Sequence, residues 1–110
     1  MPSDDREIGR ALLAMHDILR DINHKTIHGV VPNLDADRLK PFFTMVARAR
    51  ALYIKKLVDL PAGTSDMPTE AQVKELNLLR RSYDELIHGA QMIETAIERG
   101  YIDVDGKAKK

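Results

Sequence analysis

Seven apolar residues in the second half of the chain, Leu76, Leu79, Tyr83, Leu86, Ala90, Ile93 and Ile97, follow one another in alternating steps of three and four. That rhythm returns each side chain to one face of an α-helix, and a strand's period of two cannot match it. A helix is therefore expected from Thr69 to Gly100. At about 1.5 Å per residue, its roughly 30 residues make a rod about 45 Å long. Its ends are marked as clearly as its face. Thr69 and Gln72 have the spacing of a capping box, in which each side chain serves the other's backbone N–H. Gly100 can take the left-handed conformation that closes a helix. Leu86 lies at the middle of the seam and is expected to be buried there. A seam of this length needs a cover, so the rest of the chain is read for what supplies it.

Two shorter amphipathic segments come first. In helix 1, which Ser3 or Asp4 is expected to cap, Ile8, Leu12, Met15, Leu19 and Ile22 form one stripe, widened by Ala11 and Ile18. Asp5 and Glu7 suit the positive end of its dipole. Gly29 and Pro32 predict a stop near His28, because glycine can close a helix and proline cannot continue one. Pro32-Asn33 then opens a connector, in which Asp35 or Asp37 can cap a short turn carrying Leu39. Helix 2 is expected from Pro41, whose missing N–H costs nothing in a first turn, to about Asp59. Phe42, Phe43, Val46, Ala49, Tyr53, Leu57 and Leu60 are its inward residues. The run from Pro61 to Pro68 is the clearest loop in the chain.

These elements predict an all-α fold: a three-helix antiparallel (up-down-up) bundle with a long C-terminal third helix. At 110 residues it is read as one domain over 1–102, with a disordered basic tail over 103–110. Composition narrows the function. Seventeen Lys and Arg balance seventeen Asp and Glu, so no net charge draws the chain to nucleic acid or to an anionic membrane. The absence of Cys removes disulfides, thiolate zinc ligands and thiol catalysis together. The first residues lack a basic region followed by an apolar run, and no stretch approaches membrane-spanning length. A cytoplasmic protein is expected.

Three constellations can carry chemistry. Asp17, Asp21, His24 and His28 recur at spacings of four, three and four, which places them on one face of helix 1. Carboxylates and imidazoles so spaced suit zinc or iron, yet this face lies nearly opposite the Ile8–Ile22 stripe and points away from a bundle interior. A solvated face is the better reading, and no metal or cofactor is expected. Arg48, Lys55 and Lys56, with the terminal Lys107, Lys109 and Lys110, can touch phosphates. Without a helix-turn-helix pattern or interleaved aromatics, they read as a charged solvent face. Arg50 and Arg80 fall at the edges of apolar stripes, where a guanidinium snorkels to water or to a carboxylate.

The most informative feature is a second stripe on helix 3. Ser82, Gly89 and Ala96 recur every seven residues beside Ala71 and Leu78, and Met92 faces away from the main seam. Glycine inside a helix costs about 1 kcal/mol relative to alanine, so a close approach there has something to offset. Either another helix of the same chain or helix 3 of a second chain fits. No nucleophile elbow, phosphate-cradling loop or metalloprotease motif is present. The expected function is therefore a non-enzymatic helical interaction protein, an adaptor, regulator or assembly factor, that forms a homodimer through Ala71, Leu78, Ser82, Gly89, Met92 and Ala96. A metal- or small-ligand-binding bundle is the alternative, and a nucleic-acid-associated protein a further one.

Overall fold

Residues 5–63 and 66–104 are described by a computed structural model of the chain. Three α-helices account for most of it: α1 over Asp5–Val30, α2 over Ala36–Asp59 and α3 over Glu70–Glu98. A single 3-10 turn, Leu60–Gly63, follows α2, and no strand occurs among the described residues. Among the described residues, no helix is long and apolar enough to cross a membrane. The all-helical expectation and the count of three helices hold. The third helix is the longest, at 29 residues, but α1 has 26 and α2 has 24, so the disparity is smaller than the sequence suggests.

Local signals explain where α3 begins and ends. Thr69 accepts the Gln72 backbone N–H at 3.1 Å, and Gln72 Oε1 accepts the Thr69 N–H at 2.8 Å, which completes the capping box. At the other end Gly100 has φ +79°. There the Tyr101 N–H donates to Ala96 O at 2.8 Å and the Gly100 N–H to Ile97 O at 3.1 Å, the two bonds of a Schellman closure. A side chain at Gly100 would be strained by that φ, and its Cβ would lie 2.9 Å from Arg20 Cδ.

Two boundaries differ from expectation. Helix α1 runs through Gly29 to Val30, with the Val31 N–H still donating to Ile27 O at 2.7 Å. Glycine permits a stop but does not force one; Pro32 forces it, and the left-handed residue is Asn33, φ +60°. Helix α2 starts at Ala36, so Pro41 lies inside it, one turn later than expected. Asp35 precedes the first helical residue, and extending the helix backward carries Leu39 into a buried position. Ser3 and Asp4, the expected caps of α1, lie outside the described residues, as do Thr64 and Ser65 of the expected loop.

The chain divides into two compact units. One comprises Asp37–Ile93, and within it α2 and α3 run antiparallel. Phe42 Cζ lies 3.5 Å from where a Gly89 Cβ would be, Arg50 reaches Tyr83, and Lys56 Nζ pairs with Glu75 Oε1 at 2.9 Å. As position advances along α2, its partner recedes along α3. Leu39, Val46 and Ala90 are buried here, while Leu76, Leu79, Tyr83, Leu86 and Ile93 of the seam are half-buried. Leu86, expected at the centre of a core, thus keeps one side toward water.

The other unit comprises Met1–Ala36 with Glu94–Lys110. Its buried residue is Ala96, beneath the Schellman closure of α3. Helix α1 contains no buried residue. Its stripe Ile8, Leu12, Met15, Ile18, Leu19 and Ile22 is between 41% and 61% exposed throughout.

Candidate functional site

The second stripe of α3 has two fates. Gly89 is half-buried against Phe42 of α2, and Ala96 is buried. These two small residues serve contacts within their own units. Ala71, Leu78, Ser82 and Met92 are exposed, Leu78 at 62% and Met92 at 64%. Leu78 and Ser82, together with Leu86, form an apolar floor in a shallow groove rimmed by Arg81, Asp84 and Glu85. An aliphatic side chain fits such a groove, with the rim charges at its edge.

On α1 the four polar residues singled out by spacing do not converge. Asp17 Oδ1 accepts from Arg20 Nη2 at 3.0 Å. Asp21 is exposed. The His24 ring stacks on His28, with centroids 6.4 Å apart and planes at 16°. His24 Nε2 lies 2.6 Å from Asp103 Oδ2. No group of three or more His, Cys, Asp or Glu able to hold a metal ion occurs among the described residues. The carboxylate that meets His24 comes from beyond α3, 79 residues away, and no spacing on helix 1 could reveal it. Asp103, the first residue of the expected tail, lies against His24 of α1, and residues 105–110 lie outside the described residues.

His24, Ile27, His28, Tyr101, Ile102 and Asp103 line a cleft of about 210 Å³. That is below the several hundred Å³ usual for a pocket that encloses a small molecule. The cleft marks where the segment after α3 lies against the C-terminal turns of α1. The Schellman closure folds Tyr101 and Ile102 back over the last turn of α3, where the N–H of each donates to Ala96 O.

Among the basic residues of α2, Arg50, Lys55 and Lys56 are partnered, and Arg48 is exposed. Lys55 pairs with Asp59, whose hydrogen bond and negative charge hold the Lys55 ammonium above its ordinary range. Lys56 pairs with Glu75 across the hairpin. Arg50 Nη2 and Nε donate to Tyr83 Oη at 2.7 and 3.0 Å, and its guanidinium carbon lies 5.4 Å from the Tyr83 ring centre. That is snorkelling with a specific partner, found on the seam of α3. Arg80 faces Asp84 at 4.0 Å. Lys107, Lys109 and Lys110 lie outside the described residues.

Sequence reasoning singled out the small stripe of α3 and passed over the larger surface. Nineteen large apolar side chains are exposed among the described residues, against two buried ones, Leu39 and Val46, and the longest unbroken set is the α1 stripe. Its signal was present in the spacing and was assigned to a bundle core. No family model, curated protein or solved structure matches this chain.

Proposed function

We propose that the chain is a non-enzymatic helical interaction protein, an adaptor, regulator or assembly factor of the cytoplasm, whose apolar helix faces are covered by other protein chains. One observation carries this reading: large aliphatic side chains stand exposed in ordered rows on regular helices, where singly scattered ones would need no explanation. Rows at helical spacing are what a helix-in-groove or helix-on-helix contact uses. The charged groups support the same reading, since those that approach one another are engaged in pairs on exposed faces.

Within this proposal α3 supplies a homodimer face through Leu78, Ser82 and Met92, with the Leu78–Leu86 groove at its centre. Gly89 and Ala96 leave that face, because each is spent inside its own unit. Light scattering at micromolar concentration tests it. A lower average mass for Leu78→Arg than for the wild type at the same concentration is the expected result; a wild-type monomer at 100 µM would remove the homodimer.

A further inference from the structure

We infer that α1 is a second self-association face, pairing antiparallel with α1 of another copy through Ile8, Leu12, Met15, Leu19 and Ile22. The inference rests on the reading of the chain as self-associating and names a face on a different helix. The stripe follows the four-three-four-three spacing of a coiled-coil seam, and all five residues are exposed along a regular helix of 26 residues. Helix α1 is about 39 Å long and about 10 Å wide with its side chains. Two such helices laid together along one face offer an area near the 1,200 Å² or so at which stable interfaces begin.

The charges beside the stripe say what lies on it. Within α1, Arg6, Arg10, Arg20 and Lys25 balance Asp5, Glu7, Asp17 and Asp21. A helix with a neutral polar face lacks the basic surplus that holds an amphipathic helix on anionic lipid. It likewise lacks the positive surface that nucleic acid requires.

Glu7 and Lys25 are 18 residues apart, five full turns, so they stand on one flank of the stripe at its two ends, about 27 Å apart. Neither is in an ion pair among the described residues. Two-fold antiparallel pairing brings like flanks together, and with its centre near His16 it sets each Glu7 within about one turn of the other copy's Lys25. The pattern is self-complementary, as an isologous contact requires. Parallel pairing brings opposite flanks together. It would set Glu7 beside Asp5 of the second copy, a repulsive contact, and align the two helix dipoles unfavourably. A second copy in antiparallel orientation is the occupant this face fits.

Sedimentation equilibrium on the full chain tests the inference through charge exchange. Glu7→Lys and Lys25→Glu should each weaken association about five- to tenfold at low salt, the range expected when two exposed pairs become repulsive. The double variant should return to within about threefold of wild type. Mixing the two single variants should give a heterodimer tighter than either homodimer, because every contact is then opposite in sign. In a Leu78→Arg background, which removes the α3 face, Leu19→Lys should weaken association at least a hundredfold. The charge variants decide the matter if Leu19→Lys also loses helicity, since they remove no apolar contact.

A double variant as weak as the singles would overturn antiparallel pairing. Association untouched by Leu19→Lys but abolished by Leu78→Arg would overturn the α1 face and leave the α3 reading standing. The reverse result would support α1 and remove α3. A wild-type chain monomeric at 100 µM would overturn self-association through either face.

Discussion

The stripe of α1 and the seam of α3 share one rhythm, apolar residues in steps of three and four along helices of similar length. Only one of them is covered. From Leu76 to Ile93 the α3 seam is half-buried or better, because α2 runs back along it in the same unit. From Ile8 to Ile22 the α1 stripe is exposed at every residue. A heptad pattern thus states that a face needs a cover and is silent on which chain supplies it. Connection length does not decide it: ten residues, 60–69, join α2 to α3, and only five, 31–35, join α1 to α2. At the end of α1 the chain turns at Pro32 and Asn33, and Gly100 and Asp103, after α3, meet Arg20 and His24 of its C-terminal half.

Substitutions sharpen the contrast, and the largest effect belongs to the covered region. Leu39→Ala removes a large side chain that is only 8% exposed. It should cost about 2–4 kcal/mol in denaturant melts. A loss below about 1 kcal/mol would mean that the hairpin core lies elsewhere. Gly100→Ala comes next, at about 1–2 kcal/mol, because a left-handed φ disfavours any Cβ and Arg20 occupies the space. An unchanged melt would show that α3 closes without that conformation.

Tyr83→Phe should cost about 1 kcal/mol by leaving the Arg50 guanidinium without its hydroxyl acceptor. If Arg50→Met in the Tyr83→Phe background adds the same loss as alone, the two residues are not coupled.

Gly89→Ala should stabilise the hairpin by about 0.5–1 kcal/mol. The added methyl meets Phe42 at an ordinary 3.5 Å, and the helix loses its least favourable residue. A destabilised Gly89→Ala chain would mean that α2 and α3 approach more closely than this.

The smallest effect belongs to the exposed stripe. Leu12→Ala, measured below the concentration at which the chain associates, should change stability by less than about 0.5 kcal/mol. A loss above 1 kcal/mol would show that the stripe is covered within the chain, and the contrast would fail.

Punctuation was legible in the sequence wherever a residue compels a geometry. Thr69 with Gln72 and Gly100 fix the ends of α3, because a cap and a left-handed glycine satisfy backbone groups that nothing else nearby can satisfy. Gly29 misled because glycine only permits a stop. Pro41 misled because burial of Leu39 favours carrying α2 back to Ala36, beyond the proline. The Asp17/Asp21/His24/His28 face, read as solvated, holds a contact that its spacing did not announce. Its four residues share a helix phase, but the partner of His24 is Asp103, a pairing made by the fold and absent from any local spacing. Arg50 was recognised as a boundary residue, while its partner Tyr83 needed the register of α2 against α3. What no sequence pattern could supply was which apolar faces the chain's own helices cover and which they leave exposed.

Amide hydrogen exchange followed over a range of protein concentration tests that division most directly. An amphipathic helix with its apolar face in water is marginal, so α1 amides from Ile8 to Ile22 should exchange rapidly at sub-micromolar concentration. Their protection should rise steadily as the chain is concentrated, and by more than that of the α2 amides from Leu39 to Val46, whose ends are already buried within the hairpin. Protection of α1 that is strong and independent of concentration would contradict the account.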